Sequence, residues 1–211
     1  MFKTQHHVSG WTDRVHWEWP DYDRKLIQVF DWVEDCQAAI DLCDKRGLAI
    51  QAGGAVGVWP AYLSQHFDKV VTLEPEPINY ACLVENVKDL GNVTTINGAF
   101  SDSNGFVSLE NDPRESNNCG TWYIRGAGSI RAYAGDSLDL AVDFLCLDVE
   151  GHELEALHGF EKTIERYRPV IMLEEKPLPH MKRPASAARE WLGKFGYTIA
   201  ARVNRDIILS C

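Results

Sequence analysis

Short apolar runs alternate with helix-like segments along the middle of the chain. The runs at 48–50, 70–73 and 93–96 are predicted to be strands, because each is short, apolar and bounded by turn residues. The segments between them, 58–67 and 77–90, carry apolar residues at helical spacing. Consecutive β-α-β units pair their strands in parallel and cover the sheet with helices. The pattern therefore predicts an α/β fold with a mainly parallel sheet and helices on both faces.

The alternation stops near residue 101 and resumes near residue 142. Residues 101–135 are rich in Asn, Gly and Ser, and we expect an insertion or hairpin with strands near 105–109 and 121–125, or else a mobile loop. The tight turn at Asn204-Arg205 predicts an antiparallel strand pair at the end of the chain. The elements predicted after the irregular stretch are strands at 142–147, 170–173, 197–202 and 206–210 and helices at 152–166 and 184–195.

The beginning of the chain follows another pattern. Residues 25–45 predict one helix, ended by Gly47, with an apolar face that begins at Leu26. Residues 1–24 show no regular pattern but are rich in large aromatic rings, which we expect to pack over the domain rather than to cover a ligand cleft. These aromatic residues are Trp11, Trp17, Trp19 and Tyr22.

Size and charge narrow the class of partner. A chain of 211 residues suits one domain, which we divide into a helical and aromatic extension over 1–47 and an α/β core over 48–211. The 21 basic and 31 acidic side chains give a formal net charge of −10, which repels phosphate backbones and anionic lipid. We therefore expect a small-molecule partner rather than nucleic acid or a membrane. The sequence gives no indication of oligomeric state.

The sequence also suggests a compartment. No apolar run follows the N-terminus, and none approaches the roughly 18 residues of a membrane-spanning helix. The six cysteines are scattered and form no CxxC pair. We therefore expect free thiols in a reducing cytoplasm, without a disulfide or a cysteine metal site.

A glycine-rich turn follows the first predicted strand of the core. Gly53, Gly54 and Gly57 let the backbone turn sharply and approach a ligand. Glu74 ends the second strand, where a carboxylate accepts hydrogen bonds from both hydroxyls of a ribose. Each part alone also fits a plain tight turn or a solvated acidic turn, and we assign Glu76 to the latter. Together they predict an adenosine-type ligand, but the turn is one substitution from the dinucleotide fingerprint, so a nicotinamide-dependent oxidoreductase stays open.

A cluster of ionisable residues follows the strand predicted at 142–147. Strand ends in such sheets face the ligand crevice, so we expect Asp148, Glu150, His152 and Glu153 to lie close together. Crowded carboxylates raise one another's pKa and can orient a histidine, which creates a proton acceptor for a hydroxyl group. We assign catalysis to Asp148, Glu150 and His152. Glu153 has an alternative role, in which its charge in the first turn of the predicted helix only stabilises the helix dipole. The same groups could bind a metal, but their spacing follows no metal motif, and we assign none.

With these motifs the sequence, from about residue 48 to about 175, resembles the FkbM-type methyltransferases of the class I S-adenosylmethionine-dependent superfamily. The run Asp148-Val149-Glu150-Gly151-His152-Glu153 is its most specific part. The resemblance implies a Rossmann-like fold and an S-adenosylmethionine-dependent O-methyltransferase that acts on a small sugar-like or natural-product acceptor. The other matching segments are Gly53-Gly54-Ala55-Val56-Gly57, Leu73-Glu74-Pro75, Asn79, Leu83, Asn86, Gly98-Ala99-Phe100-Ser101-Asp102, Ser137-Leu138-Asp139, Leu157, Gly159, Arg168-Pro169 and Glu174.

The resemblance also implies roles for single residues. The glycines would pass close to the methionine part of the cofactor, Glu74 would hold the ribose, and Ala99 and Phe100 would lie by the adenine with Asp102 near. Asp148 would face the methyl donor or acceptor, with Glu174 as a further acceptor-side candidate. The residues implied to bind the cofactor are Gln51, Gly53, Gly54, Gly57, Glu74, Pro75, Ala99, Phe100, Asp102 and Asp148.

Gln51 departs from the family pattern, which usually has Asp at this position to help bind the methionine end of the cofactor. Glutamine can still form hydrogen bonds but carries no negative charge. A degenerate, non-catalytic binding module therefore stands as a second alternative to the methyltransferase, beside the oxidoreductase.

Overall fold

The computed structural model describes residues 1–25 and 28–211 and confirms the alternation of strands and helices. The helices in these residues are α1 (Val29–Trp32), α2 (Gln37–Ile40), α3 (Val58–Leu63), α4 (Pro77–Val87), α5 (Glu153–Gly159), α6 (Glu161–Tyr167) and α7 (Ala187–Leu192). The strands are β1 (Phe2–His6), β2 (His16–Pro20), β3 (Leu48–Ala52), β4 (Lys69–Glu74), β5 (Val93–Asn97), β6 (Ala99–Phe100), β7 (Gly105–Val107), β8 (Leu109–Asn111), β9 (Trp122–Ile124), β10 (Ile130–Tyr133), β11 (Phe144–Leu147), β12 (Val170–Glu174), β13 (Thr198–Val203) and β14 (Asp206–Ser210).

A seven-stranded sheet, in the order β13-β14-β12-β11-β3-β4-β5, forms the centre of the fold. Strands β5, β4, β3, β11 and β12 are parallel, and β14 pairs antiparallel with both β12 and β13, as predicted. The chain builds the sheet outward from β3 to β5 and then continues on the other side of β3 at β11. The carboxyl ends of β3 and β11 therefore flank a topological switch point, where open α/β sheets bind their ligands.

Both faces of the sheet are covered by apolar side chains. Along β11, Phe144 and Cys146 pack into the same core as Trp19 of β2, whereas Leu145 and Leu147 pack into the core on the opposite face. The side chains alternate because successive residues of a strand point to opposite sides. Burial on both faces explains why this strand is an unbroken apolar run in the sequence.

The N-terminal residues have more regular structure than the sequence predicts. β1 and β2 pair as an antiparallel hairpin within residues 1–24. The large rings of Trp17 and Trp19 are buried, which agrees with the expected packing role. In β2, Trp17 and Trp19 alternate with polar or charged residues, but five residues are too few to reveal this period of two in the sequence.

The predicted helix over 25–45 is wrong in length and continuity. The short helices α1 and α2 flank a 3-10 turn at Val33–Cys36, and the helical region ends at Ile40 rather than at Gly47. The thiol of Cys43 and the guanidinium of Arg46 reach back to the carbonyl oxygens of Ala39 and Ile40, which closes the helix end early. Leu26 of the predicted helix lies outside the described residues.

The other differences are local. The predicted helix over 152–166 is two helices, α5 and α6, because the chain bends at Phe160. The irregular stretch contains the expected hairpin, formed by β8 and β9, and a small sheet of β6, β10 and β7. Among the helices of residues 1–25 and 28–211, none has the length and apolar character needed to cross a membrane.

Candidate active site

A cavity of about 1340 Å³ lies at the switch point of the sheet. Its walls are formed by the carboxyl ends of β3, β4, β11 and β12 and by the start of β6. The β8–β9 hairpin and residues 176–180 contribute a further wall. The cavity is the place where the sequence predicts ligand binding.

The turn after β3 is shaped by a close backbone contact. Gly53 has a φ of 83°, and a Cβ atom at this position would lie 1.8 Å from the carbonyl oxygen of Asp148. Only glycine fits this conformation and this space. Gly53 lines the cavity, but Gly54 and Gly57 do not, and a Cβ on either would lie about 3.0 Å from Leu83 of α4. These two glycines serve the packing of α4 against the turn.

Gln51 is fully buried and does not line the cavity. Its amide nitrogen donates to the carbonyl oxygens of Ala52 and Gly53, at 3.2 and 2.9 Å, and its carbonyl oxygen accepts from the Thr72 hydroxyl at 2.5 Å. The side chain therefore holds the glycine turn onto β4. The structure places Gln51 behind the turn, outside the cavity wall, and its implied role toward the methionine end of the cofactor stays a prediction.

Glu74 lines the cavity at the end of β4, where the sequence predicts it. Its carboxylate is buried and accepts backbone N–H bonds from Ala55 and Glu76, both at 2.7 Å. Burial raises the pKa of Glu74 to about 8, against the lowering effect of these two N–H groups. The expectation of a solvated Glu76 is wrong, because Glu76 is buried and its carboxylate caps α4 by accepting from the Asn79 N–H at 2.7 Å.

The remaining residues implied to bind the cofactor divide into two groups. Pro75, Ala99 and Phe100 line the cavity. Asp102 is exposed, lies outside the cavity wall and accepts a hydrogen bond from Ser103 at 2.9 Å. The chain turns away from the cavity after Phe100, which carries Asp102 to the surface.

Three carboxylates meet at the other end of the cavity. One carboxylate oxygen from each of Asp148, Glu150 and Glu174 lies within 4.8 Å of the others. The ammonium of Lys176 lies 3.2 Å from Glu150 and 2.7 Å from Glu174. Oxygen ligands of this kind suit a hard cation, but here the Lys176 charge already faces two of them.

The carboxylates of this cluster resist ionisation. Burial, followed by the charge of Asp148, raises the pKa of Glu150 to about 7, and the same causes raise the pKa of Glu174. Burial also raises the pKa of Asp148. A single ammonium cannot neutralise three carboxylates, so the cluster retains a proton near neutral pH.

His152 and Glu153 do not join this cluster. Glu153 is buried, and its carboxylate accepts N–H bonds from Val149 and Gly151, at 3.3 and 3.1 Å, so it caps the turn before α5. The Nε2 atom of His152 lies 3.0 Å from the Ser101 hydroxyl, and neither His152 nor Glu153 lines the cavity. The expectation that all four ionisable residues crowd together is therefore wrong, because His152 faces Ser101 and the Glu153 carboxylate turns back onto its own loop.

Several cavity residues were not predicted from the sequence. Lys176 and His180 follow β12 in a segment without periodicity, and Trp122 and Tyr123 lie in the irregular stretch. Of these four residues, only Lys176 could have been found from the sequence, because it is a basic residue two positions after Glu174 at the acidic end of β12. The positions of the other three depend on how the inserted segments fold over the sheet.

A Rossmann-like sheet with a cavity at its switch point defines the fold class, and comparison with known sequences defines the family. The chain belongs to the methyltransferase FkbM domain family, whose model matches residues 52–199. A curated relative, the hexuronic acid methyltransferase AglP of Haloferax volcanii, is 30% identical over 109 residues, which are 49% of this chain and 46% of the relative. This chain therefore spans about half the length of that relative.

Solved structures confirm the Rossmann-like methyltransferase fold. The methyltransferase FkbM from Methylobacillus flagellatus KT has a TM-score of 0.54 and 19% identity, covering 79% of this chain and 43% of that chain. The precorrin-6y C5,15-methyltransferase from Geobacter metallireducens GS-15 has a TM-score of 0.53 and 15% identity, covering 88% and 90%. A Streptococcus mutans protein solved in complex with SAH has a TM-score of 0.50 and 11% identity, covering 89% and 98%.

The contact between Gly53 and Asp148 predicts a large effect of one methyl group. Gly53→Ala should lower the free energy of unfolding by about 2–4 kcal/mol, because the new Cβ clashes with a backbone oxygen and the φ is unfavourable for alanine. Gly193→Ala is the matched control, since a Cβ there meets no atom within 4 Å and Gly193 has a helical φ; it should be neutral or stabilise by roughly 0.5–1 kcal/mol. Urea unfolding measures the free energy of unfolding of both variants, and equal changes in the two would contradict the close contact assigned to Gly53 and Asp148.

The buried carboxylates predict that stability falls as pH rises. Between pH 4.5 and about 8 the folded protein retains a proton on Glu74 that the unfolded chain has released. The contribution of Glu74 to the free energy of unfolding is therefore fully present below pH 4.5 and is lost as pH rises through about 8. The free energy of unfolding should decrease from pH 5 to pH 8, and Glu74→Gln should decrease less steeply. Glu165→Gln, on the exposed side of α6, is the control; a Glu74→Gln slope equal to wild type would refute the prediction.

Proposed function

We propose that this protein is an S-adenosylmethionine-dependent methyltransferase that methylates an oxygen of a small, sugar-like acceptor. The observation that carries the proposal is the single cavity that joins two different sites. Glu74 lies at the β4 side of the cavity and the carboxylates of Glu150 and Glu174 lie toward β11 and β12, while Gly53 and Asp148 meet between them. Membership of the FkbM family supports this interpretation.

The residues at the Glu74 end fit an adenosine-type cofactor. Glu74 offers a buried carboxylate to ribose hydroxyls. Asn79 also lines the cavity, and its buried Oδ1 accepts no hydrogen bond within the described part of the chain, so a ligand hydroxyl would satisfy it. Gly53 lines the cavity with its backbone, along which the methionine part would lie.

The size of the cavity supports two ligands. A typical single-ligand pocket has roughly 300–1,000 Å³, and this cavity has about 1340 Å³. The cofactor would lie along Gly53 and Glu74, and the acceptor would lie toward Glu150, Glu174 and the covering segments.

Bound S-adenosylmethionine supplies a methyl group on a positively charged sulfonium. The chain contributes orientation and a proton acceptor. Glu150, with a pKa of about 7, can take a hydroxyl proton near neutral pH, and Asp148 adds negative charge beside it. His152 contacts Ser101 outside the cavity wall, so the proposal gives it no direct contact with the acceptor.

A hydroxylated acceptor suits the chemistry of the cavity. Carboxylates accept hydrogen bonds from hydroxyl groups, and Trp32, which is 43% exposed at the cavity, offers a flat apolar surface to a sugar ring. The relative named for hexuronic acid supports a sugar acid as the first acceptor to test.

Calorimetry with S-adenosylhomocysteine tests the cofactor. Wild type should bind it and not NADH, and Glu74→Gln should weaken binding about tenfold or more, because the amide offers a single acceptor oxygen to two ribose hydroxyls. Glu165→Gln should bind as wild type does. Binding of NADH alone would favour the oxidoreductase, and wild-type affinity in Glu74→Gln would remove the ribose assignment.

Mass spectrometry of products tests the acceptor. S-adenosylmethionine is supplied with D-glucuronic acid or D-glucose, and mild base then separates methyl esters, which hydrolyse, from methyl ethers, which persist. We expect an ether, formed equally with and without chelator, and a kcat at least about a hundredfold lower in Glu150→Gln. S-adenosylhomocysteine binding without turnover on a broad panel of sugars would favour the non-catalytic binding module.

A further inference from the structure

Glu150 has a strained backbone at the centre of the candidate site. Its φ is 51°, and that of Gly151 is 93°, so two consecutive residues are left-handed. Glycine adopts this region freely, whereas glutamate adopts it at a cost. Such a conformation persists only where surrounding contacts hold it.

Contacts hold this turn from both sides. On the N–H side, the Glu153 carboxylate accepts from Val149 and Gly151. On the carbonyl side, His180 Nε2 lies 2.8 Å from the Glu150 oxygen, and Arg183 donates to the Gly151 oxygen at 3.1 Å. A carbonyl oxygen can only accept, so Nε2 of His180 carries the hydrogen.

The ring of His180 is itself fixed. It stacks on Tyr123 with 3.8 Å between ring centroids and 6° between planes. Its Nε2 is also so close to Gly151 that a Cβ there would lie 3.1 Å away. The ring therefore joins the segment after β12, the β8–β9 hairpin and the turn after β11.

The Glu150 side chain depends on this turn. Its carboxylate is 3.2 Å from Lys176, which lies in the same segment as His180. Rotation of the Glu150 backbone out of the left-handed region would carry the carboxylate away from Lys176 and from Asp148.

We propose that His180 is a positioning residue, whose Nε2–H holds the Glu150 carbonyl and so keeps the Glu150 carboxylate directed into the cavity. Its effect on turnover rests on the proposed function. Its effect on the conformation of Glu150 does not, and a structural measurement can test it separately.

Two variants separate the hydrogen bond from the stacking. His180→Phe keeps a ring against Tyr123 but loses the donor, and His180→Gln keeps an amide donor at similar reach but loses the ring. Crystal structures should show Glu150 outside the left-handed region in His180→Phe and inside it in His180→Gln. A left-handed Glu150 in His180→Phe would overturn the proposal.

Kinetics with the acceptor found by mass spectrometry provides the second test. His180→Phe should lower kcat roughly tenfold, a typical effect of one hydrogen bond, with S-adenosylhomocysteine affinity unchanged, and His180→Gln should restore most of the rate. His158→Phe makes the same replacement on the exposed side of α5 and should leave kcat unchanged. Equal kcat in His180→Phe and wild type would also overturn the proposal. Failure of wild type to bind S-adenosylhomocysteine would instead refute the proposed function.

Discussion

The close approach of two strand ends at the switch point is the constraint on which the candidate site depends. The backbone at Gly53 lies against the carbonyl of Asp148, with no space for a side chain between them. This contact sets the glycine turn of β3 directly beside the acidic turn of β11. One cavity can then offer a cofactor surface and a reactive surface to two ligands. Gln51 supports the arrangement from within the sheet, where it ties the glycine turn to Thr72 of β4.

The acidic end of the cavity has a cost in stability. Burial and mutual repulsion raise the pKa values of Glu150 and Glu174, so their charged forms are unfavourable in the folded protein. Lys176 offsets part of this repulsion. The same turn also holds Glu150 in a left-handed conformation. Perturbed carboxylates and backbone strain concentrate at functional sites, and here they coincide in one residue.

The strands of the central sheet and their mainly parallel arrangement were predictable, because both follow from the alternation of strand-like and helix-like segments along the sequence. The runs at β3, β4, β5, β11 and β12 are short and rich in apolar or β-branched residues, and the antiparallel end follows from the turn at Asn204-Arg205. The cavity positions of Gly53, Glu74 and Asp148 were predicted correctly because strand ends in a parallel sheet share one edge. Their roles toward a ligand stay predictions.

The directions of side chains in the turns and the packing of the loop segments over the sheet were harder to predict. The acidic motif gives no sign that Glu153 turns back to cap its own loop or that His152 faces Ser101. Asp102 follows a strand end, yet the chain leaves the cavity two residues earlier. Lys176 and His180 come from a segment whose course is set by contacts with the turn and with Tyr123, and no local period encodes such contacts.

A crystal structure of the protein with S-adenosylhomocysteine tests the central claim most directly. The account predicts both ribose hydroxyls within hydrogen-bonding distance of the Glu74 carboxylate, and the sulfur at the end of the cavity near Asp148 and Glu150. A ligand whose ribose lies away from Glu74, or whose sulfur points away from the acidic turn, would contradict it.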